Sequence, residues 1–174
     1  MSIKTIYVLY EDDSAYTKAI SEYIAEGANS VDDVTVVYKP VDEVTIEELK
    51  EADGVLLGTC CDGSRPSGKM ADFLSEFQDG SYPLRGKVGG VFAVSTSNLN
   101  DLKHLFQSLQ NFMIHQGMTI VPNAAPMDEK WEEAGFSYGA AVVVNEESTR
   151  NLSNAECDLA YLHGRRVAET AKTV

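Results

Sequence analysis

The chain is short of cysteine, of basic residues and of long apolar runs, and each shortage closes off a class of protein. Three cysteines, two of them adjacent at Cys60 and Cys61, build no disulfide framework, so a reducing, cytoplasmic setting is expected. Fourteen Lys and Arg stand against 27 Asp and Glu, a formal net charge of −13. Nucleic acid is therefore not an expected partner, because its phosphates demand basic patches. The acidic excess reads first as a solvated face, and it also suits a cationic partner or a saline setting. No run of about 18 apolar residues is present, so no membrane span is expected. The start, Met1-Ser2-Ile3-Lys4-Thr5, lacks the apolar stretch of a signal peptide. No G-x-G-x-x-G follows the first β-rich run, and no G-x-x-x-x-G-K-[ST] occurs anywhere. No Ser/His/Asp order or carboxylate pair argues for hydrolysis.

What is present is an alternation. The 174 residues, 44% apolar, are enough for one domain with a sizeable core, and a single domain over 1–174 is expected. Ile3 to Tyr10 reads as a strand. Thr17 to Ala28 reads as a helix, with Ala19, Ile20, Tyr23 and Ile24 on one face and Gly27 as its stop. Val34 to Tyr38 is a second strand. Thr45-Ile46-Glu47-Glu48 is a capping box opening a short helix to Ala52. Val55 to Thr59 is an apolar third strand, suited to burial on both faces. A loop over 60–66 leads to a helix from Ser67 to Gln78. Lys87 to Ser95 is the fourth strand. A helix with Leu102, Leu105, Phe106, Leu109 and Met113 on one side ends at Gly117. Met118 to Pro122 is the fifth strand. An irregular stretch to Gly135 and the apolar run Tyr138 to Val144 follow. Ser153 to Glu156 caps a last helix running to near Lys172.

Strands alternating with helices imply an α/β three-layer sandwich: a five-stranded parallel sheet covered by helices on both faces. The strand count fits the doubly wound order 2-1-3-4-5. In such sheets anions bind where a strand runs into a helix N-terminus, whose unpaired N–H groups sit at the positive end of the dipole. The first such turn is Glu11-Asp12-Asp13-Ser14-Ala15-Tyr16-Thr17.

Several segments together carry a family resemblance: Tyr7-Val8-Leu9-Tyr10, Ile24-Ala25-Glu26-Gly27-Ala28, Ala52-Asp53-Gly54 leading to Gly58-Thr59, Ser67-Gly68-Lys69-Met70 with Phe73-Leu74, and Leu84-Arg85-Gly86-Lys87. His115-Gln116-Gly117-Met118 running into Ile120-Val121-Pro122, and Ser137-Tyr138-Gly139-Ala140, complete it. Over nearly its whole length the chain resembles the flavodoxin-like family, most nearly the NAD(P)H:quinone oxidoreductase branch also called Trp-repressor-binding proteins. The resemblance implies FMN held by the loops after strands one, three and four. NAD(P)H would be the co-substrate, a quinone or similar small molecule the acceptor, and a homodimer, or else a tetramer, the assembly. The residues so implied are Ser14, Ala15, Tyr16 and Thr17 in the first loop. The second loop offers Thr59, Cys60, Cys61, Asp62 and Gly63, and the third Ser95, Thr96, Ser97 and Asn98. His115 matches a histidine that relatives place at the flavin, from their own or a neighbouring subunit, and is the one expected catalytic residue. Trp131 and Tyr138 fall where relatives build the substrate pocket, whereas His104 and His163 read as surface residues. No metal ligand set is expected.

The first loop departs from the family pattern T/S-x-T-G-x-T. Asp12 stands at the first hydroxyl and Ala15 at the glycine, and alanine resists the left-handed backbone that glycine takes freely. At an effective dielectric near 20, like charges about 5–8 Å apart repel by roughly 2–3 kcal/mol. A helix terminus supplies roughly 1–2 kcal/mol at best. Asp12 and Asp13 thus oppose a phosphate unless they turn to solvent or Lys18 compensates. The third loop likewise lacks the glycines of relatives. Three readings stand from the sequence: an FMN-dependent oxidoreductase, a flavodoxin-type electron carrier, and a flavodoxin-like domain that has lost its flavin and binds or regulates.

Overall fold

The computed structural model describes residues 2–145 and 147–174, apart from the side chains of Asp62, Gln78 and Asp79. Its strands are β1 (Lys4–Tyr10), β2 (Val34–Pro40), β3 (Gly54–Asp62), β4 (Arg65–Pro66), β5 (Val88–Ser95), β6 (Thr119–Ile120) and β7 (Ala140–Val143). Its helices are α1 (Ala15–Asn29), α2 (Ile46–Lys50), α3 (Gly68–Ser75), α4 (Leu99–Gln116), α5 (Glu129–Ala134) and α6 (Asn154–Ala171). The sheet runs β2-β1-β3-β5-β6, with β4 on β3 and β7 on β5. All pairs are parallel except the β3–β4 hairpin. This is the expected flavodoxin-like α/β order, with seven strands in place of five.

Alternation along the central strands sorts the two cores. Ile6 and Val8 of β1 point with Leu56 and Phe92 toward α1 and α6, where Ile20, Ile24, Ala160 and Val167 meet them. Tyr7 and Leu9 point with Val55, Leu57 and Val91 toward the other layer, built from Leu49 of α2, Met70 and Phe73 of α3, and Leu105, Phe106 and Leu109 of α4. A strand with period-two side chains and helices on both sides must read apolar throughout. All eight residues of β5 are buried accordingly. Among the described residues, no helix is long and apolar enough to cross a membrane.

On the first face α1 and α6 pack backbone against backbone at two glycines. A Cβ on Gly27 would lie 1.9 Å from the Tyr161 carbonyl oxygen, and one on Gly164 would lie 2.0 Å from that of Ile24. Each glycine leaves the space that the other helix's backbone fills.

Two expectations about strands need correction. The stretch Met118 to Pro122 keeps only two ladder residues, paired with Val88 and Gly89. The chain then leaves the sheet, because Pro122 has no N–H to give. The run starting at Tyr138 takes over the same edge, with Ala140 to Val143 pairing Phe92 to Ser95. The fifth sheet position is thus shared by two segments, and α5, capped by Asp128, sits in the excursion between them. Second, the expected loop over 60–66 is a hairpin. β3 continues to Asp62 and turns back through Gly63 (φ 52°) and Ser64 (φ 71°), the positive angles that two-residue hairpin turns require.

The capping signals hold, whereas Gly27, read as a helix stop, lies inside α1. Both reciprocal bonds of the capping box form at Thr45–Glu48 and at Ser153–Glu156. Gly117 takes the left-handed cap after α4.

Candidate functional site

β1 and β3 are neighbours whose connections leave in opposite directions, to β2 on one side and β5 on the other. The loops at their carboxyl ends open the crevice where ligands of open α/β sheets bind. Three loops meet there: 11–14 after β1, the hairpin region after β3, and 96–98 after β5.

In the first loop Ser14 is the N-cap of α1, its Oγ accepting from the Thr17 amide at 3.3 Å. Thr17 is fully buried, and its own Oγ1 has no hydrogen-bond partner among the described residues. A hydroxyl buried without a partner typically costs 1–3 kcal/mol. Ala15 is exposed. Tyr16 is used elsewhere: its hydroxyl donates to the carbonyl of Arg150 at 2.8 Å, pinning the chain ahead of α6 against the start of α1.

The residue that governs this loop is Glu11. Its amide extends the sheet ladder to Gly58 (2.9 Å), and its side chain is wholly buried. One carboxylate oxygen accepts from the Asp13 amide at 2.5 Å and the other from the Cys60 amide at 3.1 Å. A carboxylate therefore already bridges the first and second loops through backbone N–H groups. Outside it, the Lys69 ammonium at the start of α3 pairs with Asp12, with Asp13 at 3.0 Å and with Asp42 at 3.6 Å. The Lys69 bond holds the Asp12 carboxyl below its usual range, and the hydrogen bonds that Lys69 donates to Asp12 and Asp13 raise its own pKa.

In the second loop, Thr59 is buried and turned to the start of α3: its Oγ1 accepts from the Ser67 amide at 3.2 Å. Burial, followed by the hydrogen bond and charge of Glu11, pushes the Cys60 thiol up to about 12. Cys60 is thus held as a thiol and not as a reactive thiolate. The Cys61 sulfur accepts from the Ser64 amide at 3.2 Å within the hairpin. The side chain of Asp62 lies outside the described residues. Gly63 is the exposed hairpin tip.

The third loop is joined to the second by Asp101. One Asp101 oxygen accepts from Ser64 Oγ at 2.6 Å. The other accepts from Ser97 Oγ at 2.5 Å and Asn98 Nδ2 at 2.8 Å. The Ser64 and Ser97 hydroxyls lower the Asp101 carboxyl from its ordinary range. Asn98 also caps α4. Ser95 is buried and its Oγ accepts from the Ser97 amide at 3.1 Å, while Thr96 is exposed.

Of the expected residues, the structure brings together Ser14, Thr17, Thr59, Cys60, Cys61, Ser95, Ser97 and Asn98 on these three loops. His115 is not among them. It sits in the last turn of α4, an 18-residue helix about 27 Å long that begins at the third loop. It packs edge-on against Tyr82 and lines a groove of about 370 Å³ between α3 and α4 with Phe77 and Phe112. Within one chain it lies at the far end of α4 from the crevice.

His163 corrects a second expectation: it is completely buried, facing Gly90 of β5. Burial drives its pKa down to about 4. Tyr138 packs on Phe136, and Trp131 lies on α5 against Gly135. Glu11, Lys69 and Asp101 were missed as site residues. For Glu11 a signal existed: an acid directly following an unbroken apolar strand has no solvent-facing position left to it.

With this geometry in view, the comparisons with known proteins decide the class. The model of the NADPH-dependent FMN reductase family matches residues 15–133, more than half of the chain. The chain belongs to that family. Among solved structures it is similar to a flavodoxin, WrbA-like protein from Agrobacterium tumefaciens, at 22% identity and a TM-score of 0.75 over 98% of both chains. A flavodoxin from the domain Archaea gives 22% identity and a TM-score of 0.71 over 97% of this chain and 99% of its own. Oxidised Flavodoxin 2 from Bacillus cereus gives 18% and 0.72 over 96% and 99%. At these identities the neighbours show a shared fold.

The family name brings FMN to the crevice, and its phosphate can be tested against the residues present. A phosphate at this turn needs unpaired amides and a cation within reach. The amides of Asp13 and Cys60 are held by Glu11, and Lys69 is held by three aspartates. As the loops are folded here, those two amides and that ammonium are not free for the phosphate of FMN, and Glu11, Asp12 and Asp13 oppose it by charge. The Thr17 hydroxyl in the same turn is buried and has no partner among the described residues.

Proposed function

We propose that the chain is a flavin-using oxidoreductase that takes electrons from NAD(P)H and passes them to a quinone or similar small acceptor. What carries this reading is the convergence of three polar loops on the β1/β3 switch point, with a buried, unpartnered hydroxyl at Thr17 in the first turn of α1, in a chain of the FMN reductase family. The protein's own part would be to bind and orient the flavin and to shield it from water, while the flavin supplies the redox chemistry. Cys60, kept protonated, offers no competing nucleophile beside it.

The test is oxidation of NADH and of NADPH, followed at 340 nm, by purified protein with added flavin and a soluble benzoquinone. Flavin- and protein-dependent turnover is the expected result. Absence of turnover with either nucleotide would remove the enzyme reading.

A second reading has specific support in the Glu11 bridge and the Asp101 tie, which close the crevice from within. On that reading the domain has lost its flavin and serves as a binding module. A visible spectrum after incubation with flavin and gel filtration separates the two. We also propose a homodimer. The argument is that His115 and the 63%-exposed Ile114 beside it are remote from their own chain's loops and available to a neighbour's. Sedimentation velocity distinguishes dimer from monomer and tetramer.

A further inference from the structure

The disagreement at the first loop carries one step more, resting on the flavin reading above. The Glu11 carboxylate is fully buried and makes bonds of 2.5 and 3.1 Å to the amides of Asp13 and Cys60, on the loop that leads into α1 and its unpartnered Thr17 hydroxyl. A carboxylate with its two oxygens on two backbone N–H groups, one from the loop before α1 and one from the end of β3, does for those groups what a bound phosphate would do. A group that satisfies the amides from inside also excludes a second anion by charge. The surrounding charges reinforce this, because Asp12, Asp13 and Asp42 share a single ammonium, Lys69.

We propose that Glu11 is a specificity-determining residue that takes the place of the flavin phosphate. The site then selects a flavin by its ring and neutral polyol chain, and it does not prefer the phosphorylated form. Acidic side chains make the equivalent choice elsewhere in doubly wound folds, where a carboxylate accepts ribose hydroxyls and disfavours a phosphate at the same spot.

The experiment titrates wild-type protein, Glu11→Ala and Glu11→Gln with riboflavin and with FMN, following quenching of flavin fluorescence. In parallel, the melting temperature of each is measured with and without inorganic phosphate. The wild type is expected to bind riboflavin at least as tightly as FMN and to show no phosphate-dependent shift. Glu11→Ala frees two amides and removes a charge, so it should move the affinity ratio toward FMN by tenfold or more and acquire a melting shift with phosphate. Glu11→Gln keeps an acceptor for one amide and should move the ratio in the same direction by less, which keeps the test open if the alanine variant folds poorly.

A wild-type preference for FMN of tenfold or more, or a ratio unchanged in both variants, would overturn the proposal and leave the oxidoreductase reading intact. If no flavin binds any of the three proteins, the oxidoreductase reading and the flavin choice fall together. The phosphate shift in Glu11→Ala would then still show whether Glu11 occupies an anion site.

Discussion

The α1–α6 seam and the three loops at the carboxyl edge are held by opposite means. At the seam, backbone lies on backbone: a Cβ added to Gly27 or Gly164 would come within 2.0 Å of a carbonyl oxygen of the other helix. At the loops, the joints are carboxylates: Glu11 between the first and second, Asp101 between the second and third, and Asp12 and Asp13 on Lys69. Steric fit tolerates no added atom and is indifferent to salt. Hydrogen-bonded carboxylates tolerate small changes of shape and respond to charge. The domain therefore has one side that fixes the fold and another whose connections can be exchanged for those of a ligand.

The largest effect should come from filling the seam. In an exposed helix, glycine to alanine gains about 1 kcal/mol. Here the added methyl group meets a backbone oxygen that cannot rotate away, and overpacking of this kind costs 1–3 kcal/mol or more. Gly27→Ala and Gly164→Ala should each lower stability by about 3 kcal/mol or more. For a chain of this size that is a fall of roughly 6–12 °C in melting temperature. A loss below 1 kcal/mol in a urea titration would mean that the helices slide apart easily and that the contrast with the loops is weaker than drawn.

His163 lies on the same side and adds a pH dependence to it. Its pKa falls from 6.5 to about 4 in the fold, so between those values the unfolded chain binds the extra proton. Stability then rises with pH across that window, by up to about 3 kcal/mol in total, with the penalty absent above pH 6.5 and complete below pH 4. Carboxyls held low in the fold, such as Asp12, Asp101 and Glu48 at about 2, lose their contribution only below the ordinary carboxyl range. Urea midpoints between pH 7 and 4.5 should therefore fall in the wild type and stay nearly level in His163→Leu. Equal slopes in the two proteins would place the proton elsewhere.

The seam and the loops also differed in how far the sequence disclosed them. Periodicity found α1 and α4, and the capping boxes at Thr45 and Ser153 marked the starts of α2 and α6, because both signals are local. The glycine seam was half visible: Gly27 reads as a helix stop, yet it lies inside α1, and its purpose depends on Gly164 far along the chain. His163 was misplaced for the same reason, since nothing local shows that Gly90 leaves room for its ring. The split fifth strand needed the pairing of β5 to be understood. At the loops, the three connections were legible from the order of the elements, while Ser14 and Thr17 were singled out through the family resemblance. What Glu11 and Asp101 do was not, because an acid in a polar turn looks the same whether it faces water or bridges two loops. Only the partner amides decide it.

A smaller effect is expected at the start of α6. Ser153 Oγ accepts from the Glu156 amide at 3.2 Å while Glu156 reaches back to the Ser153 amide at 2.7 Å. Ser153→Ala should lower stability by about 1 kcal/mol, well short of the seam glycines on the same layer. A loss as large as theirs would mean that the helix start, with the Arg150–Glu156 pair, anchors the seam more than the glycine contact does.

The smallest effect on stability should come from Asp101, and it separates the two regions most clearly. Asp101→Ala removes all three hydroxyl and amide bonds that join the loops after β3 and β5 and leaves their donors near solvent, where water replaces the lost acceptor. The melting temperature should scarcely move. Amide hydrogen exchange should nonetheless quicken in residues 60–66 and 95–98 while the α1 and α6 amides keep wild-type rates, since sub-global openings draw on local bonds only. If exchange at the α1–α6 seam quickened as well, the loops would be part of the framework, and a ligand entering between them would have to loosen the whole domain. If it did not, the crevice can open with the sheet and both helical layers in place, as entry of a flavin ring between the loops would require.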